Sequence, residues 1–143
     1  QVAEVSMDFQ DYLWNEPYAR CAARHDAASI QKLHDTYLAT AGQYIDVYRQ
    51  LSKELYGRDV PYVLLMHIGA FDARMLPELI ALFRSREFQF TTLENAMADP
   101  VYRADPKVPA PGGNTFNELV AAERKVAVPD AQEPEALLNH LCR

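Results

Sequence analysis

Two aspartates and one histidine stand where side chains could carry out acid–base chemistry. Asp8 and Asp11 follow a short apolar run, and His67 lies at the end of the apolar stretch "PYVLLMHI". A carboxylate within hydrogen-bond distance of an imidazole fixes its tautomer and favours its protonated form. A histidine held in this way can donate a proton to a leaving group as a general acid. If the two segments are neighbours in the fold, Asp8 or Asp11 could meet His67 and form a candidate catalytic pair.

The same residues also have an ordinary structural interpretation. A single histidine at the edge of an apolar segment is often a core residue whose ring binds a main-chain carbonyl. Asp8 and Asp11 could equally be turn or cap residues. The aromatic residues Tyr12 and Trp14 are well placed to stack on a ligand, although a buried tryptophan is just as common. Spacing alone therefore leaves both interpretations open.

Alternating strands and helices are expected to position these residues. Apolar runs predict strands over residues 1–7, 60–68 and 88–93. Apolar residues at gaps of three and four predict a long helix over 27–56, capped by Asp26 and stopped by Gly57, and a second over 72–86. In the second helix Asp72 is the expected cap, and Pro77 is expected in the first turn. A short helix over 93–98 completes a strand–helix alternation, which predicts an α/β fold with a parallel sheet and outer helices.

The chain changes character after residue 103. The stretch "ADPKVPAPGGN" is a connector rich in proline and glycine, and two weakly amphipathic segments follow at 115–126 and 133–141. The sequence therefore predicts a main region over 1–103, and a connector with a helical C-terminal appendage over 104–143.

The composition narrows the possible functions. The 143 residues suffice for one domain, and the formal net charge of -6 comes without a Lys/Arg cluster, which argues against a nucleic-acid surface. No apolar run approaches the roughly 20 residues of a membrane span.

Cys21 and Cys142 fit neither a CxxC motif nor a metal spacing; free buried thiols are favoured, with a disulfide in an oxidising compartment as the alternative. The remaining histidines have no partner at metal-ligand spacing and are expected at the surface: His25, His34 and His140.

Two longer segments, "VSMDFQDYLWNEPYARC" and "GRDVPYVLLMHIGAFDARMLPELIALFRSREFQFTTLENAMADPVY", carry a family resemblance. Together they resemble the second half of a polysaccharide deacetylase domain, which is shared with nodulation-factor deacetylases and is also called carbohydrate esterase family four. The resemblance covers residues 2–102. It implies part of a distorted (β/α) barrel with fewer than eight strands. It also implies a metal-dependent hydrolase that removes acetyl groups from amino sugars of a polysaccharide, in the periplasm or outside the cell.

The resemblance assigns roles to individual residues. The segment "LMH" makes His67 the general acid that protonates the leaving amine, and the segment "DFQDY" makes Asp11 the partner that orients it. Leu65 matches an apolar residue that lines the acetyl pocket, and Tyr12 stands where many members have tryptophan. With Trp14, these residues are the expected contacts to a carbohydrate polymer.

The chain also departs from the family pattern. The Asp-Asp pair and the His-x-x-x-His motif that bind the divalent metal, usually zinc, belong to the first half of the family domain and are absent here. The complete domain is therefore expected to bind metal and this chain alone is not, so the missing half or a second copy becomes an expected partner. The alternatives are a non-catalytic carbohydrate-binding or interaction module on the same scaffold, and a structural fragment that pairs through an open sheet edge. Glu87 replaces a frequent family glycine, at a cost of about 1 kcal/mol if its backbone is left-handed.

Overall fold

Helices dominate the computed structural model, which describes residues 3–109, 112–132 and 134–143. Six α-helices lie within these ranges: α1 (Asn15–Ala23), α2 (Ala27–Tyr56), α3 (Ala70–Ser85), α4 (Leu93–Met97), α5 (Phe116–Arg124) and α6 (Glu135–His140). Two short 3-10 turns accompany them, at Asp11–Trp14 and Pro100–Arg103. No helix in the described ranges combines the length and apolar character needed to cross a bilayer.

The predicted α/β fold is wrong, because the described residues form no β-sheet. Their β pairing is a single parallel bridge between Met7 and Leu64. Met7 N–H donates to Val63 O at 3.1 Å, and Leu65 N–H donates to Met7 O at 3.0 Å. A strand is stable only when neighbouring strands pair with its backbone, and one bridge does not make a sheet. The predictions of a parallel sheet and of part of a TIM-like barrel are therefore both wrong.

The other predicted strands show why the pattern misled. Residues 89–92 are exposed and belong to no helix or strand, and Leu93 already begins α4. The run 60–68 belongs to no strand and is mostly half-buried or exposed, whereas a strand inside a parallel sheet would be covered on both faces. Residues 1 and 2 of the first predicted strand lie outside the described ranges. A short apolar run is compatible with several structures. In the described ranges these runs have no sheet to join, so they do not become strands.

The long helix α2 confirms the prediction from spacing. It covers Ala27–Tyr56, the Oδ1 atom of Asp26 accepts the Ser29 N–H at 3.0 Å, and Gly57 follows in a left-handed conformation with φ of 72°. A side-chain oxygen at the first turn and a glycine after the last are the expected ends of a helix. Local signals were therefore sufficient for this element.

Two other helical regions differ from the prediction. Helix α3 begins at Ala70, so Asp72 is not its cap, and Pro77 lies inside the helix rather than in its first turn. The polar and aromatic segment after Phe9, expected as a loop, forms the turn Asp11–Trp14 and helix α1. Both differences arise from contacts distant in sequence, which are described with the site below.

The two C-terminal helices lie inside the predicted amphipathic segments. Helix α5 falls within 115–126 and has a capping box, in which Thr115 and Glu118 bind each other's backbone N–H groups. Helix α6 falls within 133–141. Residue 133, and residues 110 and 111 of the connector, lie outside the described ranges. The division into 1–103 and 104–143 stays a prediction.

The described residues group into two compact units. The first comprises Gln1–Asp8, Tyr44–Leu65 and Phe90–Asp130, and the second comprises Phe9–Gln43, Met66–Gln89 and Ala131–Arg143. In the first unit, the Ser6 hydroxyl bonds to the Tyr102 hydroxyl at 2.6 Å, and Asn117 Nδ2 donates to Ser6 O at 3.1 Å. These buried polar groups are satisfied within the core of that unit.

An aromatic core organises the second unit. Its rings meet mainly edge to face, with Phe9 at 5.2 Å and Trp14 at 5.3 Å from Tyr37, and Phe71 at 5.6 Å from the same ring. All four side chains are 2% exposed or less. Such pairs add about 1 kcal/mol each to the effect of burial. This core fixes the turn Asp11–Trp14 against the start of α3.

A disulfide closes the second unit. Cys21 in α1 and Cys142 after α6 form a disulfide at a sequence separation of 121. The favoured prediction of free thiols is therefore wrong, and the alternative was right about the pairing. Arg20 on α1 supports the same connection, since its Nη2 donates to the carbonyl of Leu138 at 3.0 Å.

Candidate functional site

The candidate site is built on the turn Asp11–Trp14 and on the extended segment before α3. Gln10 precedes the turn in a left-handed conformation with φ of 57°, which redirects the chain so that Asp11 begins the turn. Asp11 is completely buried, whereas the His67 side chain is 40% exposed. Both residues belong to the second unit.

Both oxygens of Asp11 bind His67. Oδ1 lies 2.6 Å from the imidazole Nδ1, and Oδ2 accepts the main-chain N–H of the same residue at 2.7 Å. The predicted contact between these residues is therefore confirmed, although their positions are 56 residues apart. Their catalytic roles stay predictions.

The contact fixes the chemistry of the imidazole ring. An ionised carboxylate only accepts hydrogen bonds, so Nδ1 must carry the proton in this contact. No other hydrogen bond to the ring is found within the described ranges, which leaves Nε2 of His67 as the nitrogen that can exchange a proton with a ligand. The pair combines a buried anchor with a partly exposed acid–base group.

Tyr12 lies beside the histidine. Its ring meets the His67 ring edge to face, with the ring centroids 4.9 Å apart, and the side chain is 46% exposed. The Tyr12 hydroxyl donates to Gln10 Oε1 at 3.3 Å. A ligand that reaches the imidazole would therefore also meet an aromatic face, as predicted for a sugar contact. That role itself is not tested.

The other two predicted substrate contacts are placed differently. Trp14 is fully buried and its Nε1–H donates to Thr36 Oγ1 at 3.2 Å, so a stacking role does not fit its position. Leu65 belongs to the first unit, where it is half-buried. Its proposed place in an acetyl pocket stays a prediction.

Sequence reasoning missed two polar residues that lie next to the pair. Asn15 Nδ2 donates to Asp72 Oδ2 at 2.6 Å, and Asn15 Oδ1 accepts the Phe71 N–H at 3.1 Å. Asp72 is 3% exposed. Asn15 therefore satisfies a backbone donor at the start of α3, the function that had been expected of Asp72. No local signal in the sequence marks these two residues for this role, because Asn15 and its partners are more than 50 residues apart.

The buried carboxylates shape the electrostatics of this region. Burial raises the pKa of Asp72, the hydrogen bond from Asn15 lowers it, and the charge of Asp11 raises it again. Burial also raises the pKa of Tyr37, and the charges of Asp72 and Asp11 act in the same direction. Tyr37 donates a long hydrogen bond of 3.4 Å to Asp72 Oδ1. Asp72 and Asp11 are therefore close enough to interact, and Asp11 connects this buried region to the partly exposed His67.

A metal site does not fit the residues that the structure describes. Within those ranges no group of three or more His, Cys, Asp or Glu side chains could hold a metal ion. Asp11 has both oxygens engaged by His67, and Asp72 is bound by Asn15. The described residues thus supply acid–base chemistry without a set of metal ligands.

Comparisons of the chain with protein-family models, with curated proteins and with solved structures found no match.

Proposed function

We propose that Asp11 and His67 are the proton-donating pair of an enzyme that removes acetyl groups from amino sugars of a polysaccharide. The observation that supports this proposal is the 2.6 Å contact between Asp11 Oδ1 and His67 Nδ1, with the ring partly exposed and the carboxylate buried. The family resemblance supplies the reaction, and the contact supplies a group able to carry out one of its steps.

The step is proton donation to the leaving nitrogen. In hydrolysis of the amide, the water oxygen bonds to the carbonyl carbon and the bond from that carbon to nitrogen breaks. The nitrogen must gain a proton to leave as an amine, and a positioned general acid contributes about 10²–10⁴-fold to such a step. His67 gives this proton from Nε2 while Asp11 stabilises the ring through Nδ1. The products are acetate and the free amino sugar.

The remaining parts of the reaction need residues beyond those described. The described residues do not fit a metal site, and the proton transfer from His67 is independent of one. In the proposed enzyme, the groups that activate water would come from the metal-binding half of the family domain, supplied by another stretch of polypeptide. This chain contributes the proton donor and part of the sugar contact.

The sugar contact is assigned to Tyr12. Its ring lies next to His67 and is the more exposed of the two predicted aromatic contacts, since Trp14 is buried. An aromatic ring with one accessible face suits the apolar face of a sugar, and its hydroxyl can reach the solvent-exposed oxygens of the polymer.

A second candidate is a carbohydrate-binding module without catalysis. The exposure of Tyr12 favours this alternative, together with the absence of a metal-ligand cluster from the described ranges. In that case the Asp11–His67 contact would hold the binding surface in place without transferring a proton.

The disulfide is consistent with the expected location. A pairing such as Cys21–Cys142 persists in oxidising compartments and is rare in the cytosol of most cells. This supports, as part of the proposal, a periplasmic or extracellular site of action.

An assay with an oligomer of N-acetylglucosamine separates the two candidates. Acetate release is measured with zinc and with the metal-binding half of the family domain supplied as a second polypeptide, and binding of the oligomer is followed by NMR of the labelled chain. The deacetylase proposal expects acetate release that falls at least about 100-fold in His67→Gln. Binding without acetate release would favour the binding module, and the absence of both would refute both candidates.

His34→Gln is the matched control variant. His34 also contacts carboxylates in the second unit, at Asp35 and Glu78. Its replacement is expected to leave acetate release and oligomer binding unchanged. Tyr12→Ala is expected to weaken oligomer binding in either case, because both candidates use the exposed ring.

A further inference from the structure

A pair of parallel contacts joins the turn that carries Asp11 to the segment that carries His67. Asp11 and Asn15 are four residues apart on a continuous helical stretch. Asp11 binds His67, and Asn15 binds the main-chain N–H of Phe71, four residues further along. The second contact is anchored by Asp72.

The turn between the two contacts passes directly against Asn15. A Cβ atom on Gly69 would collide with the side-chain amide of Asn15. Gly69 has an extended backbone with φ of -150°, so the glycine is needed here for close approach rather than for a left-handed conformation. Ile68, between this glycine and the histidine, is fully exposed and contributes no buried contact. The amide of Asn15 is therefore the group against which this turn rests.

We propose that Asn15 and Asp72 form a positioning pair, which holds the turn after His67 so that its ring and its main-chain N–H both meet Asp11. For its catalytic meaning this inference rests on the proposed function, but the positioning itself can be measured without substrate or metal. Neither residue touches the reacting atoms; they act through the backbone that carries the histidine.

The chemistry of the pair explains why these two residue types are required. The Asn15 amide uses its oxygen as acceptor for Phe71 N–H and its NH₂ group as donor to Asp72. An aspartate at position 15 could still accept the N–H, but it would place a second carboxylate against the buried Asp72. Exchanging the two residues would restore a donor–acceptor pair with the same total charge, because an amide at position 72 could then donate to a carboxylate at position 15.

Hydrogen exchange at the main-chain amide of His67 tests the proposal. This N–H donates to Asp11 Oδ2 at 2.7 Å, so its exchange reports whether the histidine segment leaves Asp11. In Asn15→Asp the amide is expected to exchange at least about tenfold faster, while the Tyr37 amide inside α2 changes by less than about threefold. In the exchanged variant N15D/D72N, the rate at His67 is expected to return to within about threefold of the original chain.

Asp35→Asn serves as the control variant, and Gly69→Ala as a second test of the same contact. D35N removes a carboxylate from the same unit and is expected to leave the His67 rate unchanged. G69A adds a Cβ against Asn15 and is expected to accelerate exchange at His67, which keeps the test informative if N15D fails to fold. Equal acceleration at His67 and Tyr37 would reduce the pair to a general stabilising contact and overturn the proposal. Failure of the exchanged variant to restore the rate would overturn it as well. Loss of acetate release alone would bear only on the proposed function.

Discussion

His67 and His34, both in the second unit, contact carboxylates, and the two sites differ in burial rather than in distance. His67 Nδ1 lies 2.6 Å from Asp11, whose side chain is 0% exposed. His34 Nε2 also lies 2.6 Å from its partner Glu78, and its Nδ1 lies 3.0 Å from Asp35. The two carboxylates of His34 are 53% and 66% exposed. A short distance is therefore common to a candidate catalytic pair and to a surface contact.

The occupation of the ring nitrogens separates the two sites. Both nitrogens of His34 are engaged, so this ring connects α2 to α3 and has no nitrogen left for a ligand. The hydrogen bond with Asp35 raises the pKa of His34, burial opposes it, and Glu78 adds to the rise. His67 is bound through Nδ1 alone and is the more exposed ring. Burial of the partner and a free nitrogen, rather than distance, distinguish the candidate site.

Reduction of the disulfide is expected to give the largest loss of stability. The loss should affect the region around His67 more than the contacts of His34. Helix α6 packs against the turn Asp11–Trp14 and is tied to α1 through Cys21–Cys142. Opening a loop of this length should lower the free energy of unfolding by about 2–5 kcal/mol. Urea unfolding with and without reductant measures this change in the free energy of unfolding. The double variant Cys21→Ala/Cys142→Ala, which cannot form the disulfide, should match the reduced chain. An unchanged midpoint would contradict the expected contribution.

Replacing Asp11 or Asp35 by alanine tests whether burial of the carboxylate separates the two histidine sites. Asp11→Ala removes a buried carboxylate and leaves two donors of His67 without a partner, so a loss of about 3 kcal/mol in unfolding free energy is expected. Asp35→Ala removes an exposed partner of His34 and should be close to neutral. Chemical denaturation of both variants at about pH 7 provides the measurement. Equal losses would mean that burial does not separate the sites.

Replacement of Glu87 should stabilise α3 without changing either site. Glu87 has φ of 65°, which confirms the left-handed conformation considered from the sequence. Glu87→Gly is expected to raise the unfolding free energy by up to about 1 kcal/mol, because glycine adopts this conformation without strain. Thermal unfolding measures the gain, and NMR signals of His34 and His67 should stay in place. A loss of stability would show that the Glu87 side chain has contacts of greater value.

The smallest expected effect is a pH dependence that belongs to His34. Its pKa is raised in the folded chain above the reference value of 6.5. The stability that it contributes is therefore complete below that value and is lost as the pH rises through the folded-state pKa. Because the contact is largely exposed, the loss should be less than about 1 kcal/mol. Urea unfolding at a series of pH values checks it. His34→Gln should remove this part of the slope, and an unchanged slope would assign it to other groups.

The site was predicted in part because only one of its contacts has a sequence signal. The resemblance named Asp11 and His67, and the structure brings them into contact. Asn15 appeared only as a polar residue of an expected loop, and Asp72 as a cap. Nothing local distinguishes an asparagine that binds a distant helix start from one that faces solvent. The burial of Trp14 and the exposure of Tyr12 likewise depend on which way the turn packs.

The sequence by itself determined the helix at Ala27–Tyr56, its cap and its stop, since these depend on contacts between residues three or four apart. The left-handed conformation of Glu87 was only a condition raised by the family resemblance, and the structure establishes it. Only the tertiary structure decided that the apolar runs in the described ranges form no sheet and that Cys21 pairs with Cys142. It also decided that Asn15 and Asp72 stand next to the Asp11–His67 pair. The physical reason is the same in each case. Strand pairing, disulfides and buried hydrogen bonds join residues far apart in the chain, and the spacing of neighbouring residues does not predict such contacts.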